Sequence, residues 1–299
     1  MSRVSRKSDN LDGQCYTTCR GECEFVRRFI HEPGQHLGIR AARLAIYQRK
    51  TKEDGRGVMI RAISFDFWNT LFTEPPGGFA LYKQRRLRLL EAALRDCGDF
   101  SGARLEAACH IESTAHEQIW RGQHRTLTTA ERLGRILAHL EACVPDDVMA
   151  ETVRAVEEGI LEHPPVLVEG ARSAVERLAG RYRLGIISDV GFSPGRILKQ
   201  VLADNHLLDA FDSLVFSDEA GRSKPHREVF EKTAARLGAA PTEMAHIGDL
   251  EFTDVVGAKQ AGYTAIRFTG ITPMQDGETT LADFVIDNYS ELPRLVEAL

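Results

Sequence analysis

Five carboxylates and one lysine stand where the chain could do chemistry. Asp66 closes the apolar run "RAISFD", and Thr70 follows four residues later through Trp68 and Asn69 in "DFWNT". Ser188 and Asp189 close "RLGIISD", Asp218 closes "SLVFSD", and Asp249 closes "MAHIGD", with Asp254 five residues further on. Lys224 precedes a proline in "GRSKP". A carboxylate can act as the nucleophile of a covalent mechanism. A lysine, hydroxyls and backbone N–H groups can stabilise charge that develops on an attacked anion. Carboxylates delivered to one place can also hold a divalent cation, which takes one or two of them plus water and substrate oxygens. The residue two places after Asp66 is Trp68, whose indole N–H donates a hydrogen bond and does not titrate. The set therefore suffices for attack on an anionic ester but lacks an acid–base group beside its nucleophile.

Each of these residues also has an ordinary structural use. Lys224 suits the solvated lead-in to a helix, and Asp254 suits a helix N-terminus, where the dipole favours an acid. Asp189 reads as a loop-structuring side chain. His246, just before "IGD", reads as a core residue that packs or hydrogen-bonds. Chemistry is indicated only if the fold gathers the residues at one place.

The elements that would gather them are legible as a change of rhythm. Residues 61–66, 183–189, 213–218, 244–249, 263–268 and 283–288 are short, strand-like and apolar. "PGRILKQVLADN", "PHREVFEKTAARLG" and "FTDVVGAKQAG" lie between the later ones with apolar residues at helical spacing. Short apolar strands alternating with helices predict an α/β fold with a doubly wound parallel sheet covered on both faces. In such folds ligands sit beyond the carboxyl ends of the strands, where Asp66, Ser188, Asp189, Asp218 and Asp249 are expected. Residues 80–165 read as almost wholly helical. Leu81, Leu87, Leu89, Leu90, Ala93 and Leu94 share one face of a helix, Thr128 and Glu131 form a capping pair, and Pro145 with two acids opens another helix. The expected division is a core of residues 59–76 and 166–299, interrupted by a helical insertion, 77–165.

The first 58 residues differ from the rest, with 12 Lys and Arg against 7 Asp and Glu and one weak helix candidate, "LGIRAARLAIYQRK". They are expected to be a flexible extension, or the product of a misassigned start, with the compact domain beginning near Met59. Cys15, Cys19 and Cys23 are spaced one residue too widely for the C-x3-C-x2-C loop of radical-SAM enzymes and are read as chance cysteines in that extension. A net charge of −5 over 299 residues excludes a nucleic-acid binder driven by a basic surface. No run approaches the roughly 18 apolar residues of a membrane span, and the N-terminus lacks the apolar core of a secretory signal. The six cysteines form no disulfide framework. A soluble, cytoplasmic protein is expected.

On these motifs the chain resembles the haloacid dehalogenase (HAD) superfamily of hydrolases over about residues 61 to 290. "FDFWNT" resembles its first motif, Ser188 in "IISD" the second, Lys224 in "GRSKP" the third, and "HIGDLEFTD" the fourth. The resemblance implies a Rossmann-like core with a helical cap that closes over a small substrate and excludes water. It implies Asp66 as nucleophile, Thr70 as a further donor or loop-fixing hydroxyl, and Ser188, Lys224 and Asn69 in contact with the substrate. It also implies Mg²⁺ held by Asp66, Asp249 and the backbone carbonyl of Trp68, with Asp254 orienting the site.

Phosphatases of this family carry a second aspartate where this chain has Trp68. Loss of such an acid–base group lowers rates by roughly 10²–10⁴. Haloacid dehalogenases carry an aromatic residue there, usually Tyr, but generally lack the Gly-Asp metal carboxylate that "HIGD" retains. The leading expectation is a slow, Mg²⁺-dependent phosphatase acting on a small phosphorylated metabolite through an aspartyl-phosphate. A metal-independent 2-haloacid dehalogenase and a non-catalytic phosphate- or partner-binding protein are the alternatives. In the cap, "IWRGQHRTLT" concentrates Trp120, Arg121, His124 and Arg125, either against an anionic substrate or as a solvated helix end.

Overall fold

Apolar runs of four to six residues, buried along almost their whole length, form the centre of the molecule. The computed structural model describes residues 59–98 and 101–299. The expected N-terminal extension, its cysteine spacing and its helix candidate lie outside those residues. The strands are β1 (Ala62–Phe65), β2 (Phe72–Thr73), β3 (Val166–Leu167), β4 (Arg183–Ser188), β5 (Ser213–Phe216), β6 (Met244–Gly248), β7 (Thr264–Phe268) and β8 (Phe284–Ile286). Six of them make one parallel sheet in the order β5-β4-β1-β6-β7-β8. Every residue of β1, β6 and β7 is buried, as a parallel strand covered on both faces requires.

From β1 the chain winds outward to β4 and β5, then crosses back to β6, β7 and β8 on the other side. The order reverses beside β1, so the loops leaving β1, β4 and β6 surround one crevice. Apart from β7, the hydrogen-bonded strands stop one or two residues short of the expected ends. Asp66, Asp189, Asp218 and Asp249 therefore all stand just past their strands.

Helices α1 (Gly78–Leu94), α2 (Gly102–Gln123), α3 (Thr129–Leu140) and α4 (Asp146–Glu157) lie between β2 and β3. Those two short strands pair antiparallel, Phe72 with Leu167 and Thr73 with Val166, so the chain enters and leaves the helical block side by side. Thr128 and Glu131 form the expected capping box, and Asp146 and Asp147 occupy the first turn after Pro145. Leu90, Leu94, Leu105, Leu133, Ile136 and Leu140 meet in the middle of the block. Each fully buried leucine contributes roughly 1.5–3 kcal/mol relative to exposure. The apolar face expected from Leu81 to Leu94 is narrower than its spacing suggested: Leu81 is exposed, and only Leu90 and Leu94 are fully buried.

Around the sheet lie α5 (Ala171–Ala179), α6 (Gly195–Asp204), α7 (Ser217–Ala220), α8 (Arg227–Leu237), α9 (Val256–Ala261) and α10 (Leu292–Glu297). Val229, Phe230, Ala234 and Leu237 of α8 pack with Ala258 and Ala261 of α9 and with Tyr263 against strand residues including Ile187, Val215 and Met244. This layer holds rigid the strand ends that carry the carboxylates. Among the described residues no helix is long and apolar enough to cross a membrane.

Candidate active site

Asp66 leaves β1 with its backbone N–H bonded to the Ile247 carbonyl at 2.8 Å, so the central strand pair fixes its position. Its side chain is buried and accepts from Lys224 Nζ at 2.5 Å, and the same ammonium donates to Asp254 Oδ1 at 2.6 Å. Asp249 completes the cluster: ligand oxygens of Asp66, Asp249 and Asp254 all lie within 4.8 Å of one another. Four of the expected residues, 66, 224, 249 and 254, thus meet at one point.

Asp254 is the anchor of this group. Its Oδ1 faces both Lys224 and His246 Nε2 (3.1 Å), while Oδ2 accepts from the Leu250 N–H and the Thr253 hydroxyl. Burial opposes its charge, but Lys224 and the His246 bond prevail and hold its carboxyl well below the usual range. Burial also opposes the charge on Lys224, and the adjacent Asp254 and Asp66 outweigh it, so the ammonium is held firmly charged. Asp66 and Asp249 behave oppositely. Burial and the neighbouring carboxylates raise Asp66 well above its ordinary value in spite of Lys224, and raise Asp249 to about 7. One lysine cannot neutralise three buried carboxylates. The donor set, all hard oxygen with free atoms on Asp66 and Asp249, suits a small divalent cation such as Mg²⁺.

His246 takes the core role expected of it, with Nδ1 against the Ser64 hydroxyl at 2.9 Å and its ring edge-on to Phe230. Gly248 is required by the same arrangement, because a Cβ there would stand 2.2 Å from Asp254 Cγ.

The loop after Asp66 turns sharply. Asn69 adopts a left-handed backbone, φ 52°, and its side-chain oxygen accepts from the Thr73 hydroxyl at 3.2 Å, so it shapes the turn. Thr70 is fully buried, and its hydroxyl has no hydrogen-bond partner among the described residues. Ser188 is also buried, with its hydroxyl on the Asp189 carbonyl at 3.1 Å. Trp68 is half-buried, edge-on to Phe67 at 5.1 Å between centroids.

Asp189 does structure its loop, and does so across the helical block. Oδ1 accepts the Lys224 backbone N–H at 2.9 Å and Oδ2 accepts Trp120 Nε1 at 2.8 Å. Burial raises its pKa to about 6. Further ties join block and core: Ser223 N–H to the His124 carbonyl at 2.8 Å, and Thr129 Oγ1 to the Phe192 carbonyl at 2.6 Å. Arg121 and Arg125 are committed to Glu117 and Glu131, which fits the solvated helix end among the two readings of that basic stretch.

Asp218 stands just past β5 as expected but takes no part in the cluster; both its oxygens accept the Gly195 N–H, at 3.3 and 3.2 Å, at the start of α6. Its position after a strand is the same as that of Asp249, but a helix start lies closer. Three supporting residues gave no sequence signal. Tyr289 donates its hydroxyl to the Thr70 carbonyl at 2.9 Å, tying the loop after Asp66 to a segment more than 200 residues away. Arg267 donates to the Asp249 carbonyl at 3.3 Å, and the Thr272 hydroxyl reaches Asp249 Oδ2 at 3.4 Å. Each depends on a contact between distant segments, which local patterning does not encode.

Comparison with known proteins agrees with this arrangement. The chain is similar to the glyceraldehyde 3-phosphate phosphatase of Pyrococcus furiosus, 35% identical over 137 residues, which cover 44% of this chain and 54% of that one. It spans about half the length of the curated relatives it matches. In fold it is similar to a 2-haloacid dehalogenase from Pseudomonas syringae (TM-score 0.62, 23% identity, 80% of this chain and 99% of the other). It is similar also to a HAD phosphatase from Thermococcus onnurineus (TM-score 0.55, 21% identity, 80% and 99%). The description "haloacid dehalogenase-like hydrolase" matches residues 60–262. With the Asp66 loop, a lysine and an acidic loop meeting beside the switch point of a parallel sheet, the chain belongs to the haloacid dehalogenase-like hydrolases.

Proposed function

We propose that this hydrolase is a Mg²⁺-dependent phosphatase acting on a small phosphorylated metabolite through an aspartyl-phosphate on Asp66. The observation that carries the reading is the charge excess of three buried carboxylates over one lysine. Without a metal that excess is relieved by protonating Asp66 or Asp249, and a protonated Asp66 is no nucleophile. The phosphatase names of the relatives support the same reading.

Asp66 and Asp249, with the Trp68 backbone carbonyl, would hold the cation, and Asp254 would keep Lys224 in place behind them. When bound, Mg²⁺ lowers the repulsion between a carboxylate nucleophile and a phosphate dianion. Asp66 supplies the attacking oxygen. Lys224, the Thr70 hydroxyl and Ser188 supply positive charge and donors to the phosphate oxygens. Residues 77–165 serve as a cap that shuts the crevice from bulk water. Trp68 cannot protonate the leaving alcohol or activate the water that releases the phosphate, so turnover is slow.

Phosphate release from a panel of phosphate esters, with Mg²⁺ and with chelator, tests the proposal, using Asp66→Asn as the blank. Mg²⁺-dependent release that the blank lacks is expected. Trp68 is the observation that favours a second reading, 2-haloacid hydrolysis through an ester on Asp66. Halide release undiminished by chelator would establish that reading in place of the first, and absence of both reactions would favour a phosphate-binding protein.

A further inference from the structure

Between the helical block and the core lies a cavity of about 460 Å³ whose wall includes Trp68, Arg86, His116, Arg132 and Phe192. It borders the nucleophile loop through Trp68 and the loop after Ser188 through Phe192. Glu74 and Lys83 also line it, one acid against one base, and its remaining charges are not balanced. Arg132 is held bidentately by Glu112, at 2.8 and 2.9 Å, both side chains being buried. Arg85, also in the wall, is committed to Glu162 and to the Ala155 carbonyl. Arg86 has no carboxylate within ion-pair range among the described residues; its guanidinium rests on the Phe192 ring at 4.0 Å, and Arg132 lies over the same ring at 3.6 Å. Two guanidiniums therefore rest on one aromatic ring, and the Glu112 carboxylate gives both its oxygens to Arg132. Burial and the nearby Arg132 lower Arg86 to about 10, which still leaves it charged at neutral pH. His116 adds a buried Nδ1 with no partner among the described residues. A partly desolvated guanidinium without a counter-ion is unfavourable unless an anion arrives to pair with it.

We propose that this cavity is a subsite for a second anionic group on the substrate, held by Arg86 with His116 beside it. It rests on the phosphatase reading for the position of the first anionic group. Trp68, in place of an acid, would then form the partition between the phosphate at Asp66 and the second anion. The substrate class is a small phosphate ester bearing a carboxylate or a second phosphate, in preference to an uncharged sugar or polyol phosphate.

The test compares 3-phosphoglycerate with glycerol 3-phosphate, which differ by carboxylate against hydroxymethyl, and propane-1,3-diol bisphosphate with its monophosphate. Steady-state rates are measured with Mg²⁺ for the parent, Arg86→Met and Arg86→Lys. Affinities are measured by calorimetry in the Asp66→Asn background. The doubly anionic member of at least one pair is expected to be preferred about 10- to 100-fold, the range of a hydrogen-bonded charge pair. Arg86→Met should abolish that preference through KM while changing the singly anionic compounds by less than about 3-fold, and Arg86→Lys should restore part of it. Which pair responds distinguishes carboxylate from phosphate. Equal preference in the parent, or a preference that survives Arg86→Met, overturns the subsite. If Arg86-dependent binding is found without turnover of any phosphate ester, the subsite stands and the phosphatase reading fails. If no compound binds, the subsite is overturned.

Discussion

Replacing Lys224 with methionine tests the electrostatic argument most directly, because the substitution keeps the aliphatic stem and removes only the charge. The ammonium is almost fully buried and contacts Asp66 at 2.5 Å and Asp254 at 2.6 Å. Without it, three carboxylates share one buried pocket with no basic partner but neutral His246. Breaking a buried ion pair by removing one partner costs about 3–5 kcal/mol. For a domain of this size each kcal/mol lowers Tm by roughly 2–4 °C, so a fall of roughly 10 °C is expected in a calorimetric scan. The loss should be partly offset as Asp66, already raised by burial, takes up a proton and ceases to be a nucleophile. Phosphate release should fall by at least about 10²-fold, as for the loss of a preorganised electrostatic contact. Saturating Mg²⁺ should recover more Tm in the variant than in the parent, since a cation that binds only the folded form stabilises it and the variant's cluster carries one more uncompensated charge. A Tm within about 2 °C of the parent, which is under 1 kcal/mol by the same scale, would refute the reasoning.

Trp68→Asp restores a titratable group beside the nucleophile and should raise kcat for phosphate esters by about 10²–10⁴, read by phosphate release; an unchanged kcat would show that the acid–base step is not what limits turnover. Gly248→Ala places a methyl group against the Asp254 side chain, which must move and release Lys224; both Tm and phosphate release should fall, whereas Gly180→Ala, with open space around it, should leave activity intact. His116 is lowered to about 4 by burial and by Arg132, with Arg135 adding to the effect and Glu112 opposing it. Because the folded form binds the proton less tightly than the unfolded chain, stability present above pH 6.5 is lost as the pH falls towards 4. Discounted for partial exposure this amounts to about 1 kcal/mol, and His116→Gln should flatten the urea midpoint over that interval.

The parallel sheet was legible because its strands are short, apolar and separated by helices, and because that pattern places strand ends at one rim. Asp66 and Asp249 could be picked out for the same reason, and Lys224 and Asp254 by the resemblance of their motifs to those of the family. What strand-end position does not encode is competition for a carboxylate. Asp218 has the same local setting as Asp249, yet a nearby helix start claims it. Contacts between distant segments were equally hidden. Nothing in "DNYSEL" indicates that Tyr289 reaches the Thr70 carbonyl. The two arginines of the stretch from Trp120 to Arg125 drew attention by composition but are paired locally, while Arg86, in the less conspicuous "YKQRR", lines a cavity with no carboxylate within ion-pair range of it among the described residues. Side-chain pairing in three dimensions decides which charges remain available, and linear spacing does not report it.

The chain contains two tryptophans, Trp68 in the loop after Asp66 and Trp120 at the contact of the helical block with Asp189. Almost all of the protein's near-ultraviolet emission on excitation at the red edge therefore originates at the site itself. Separation of block from core would free the Trp120 indole from its carboxylate and expose it to water, whereas a molecule lodged beside Trp68 would alter the other chromophore. The molecule carries its own optical probe of closure and occupancy, with no dye to attach.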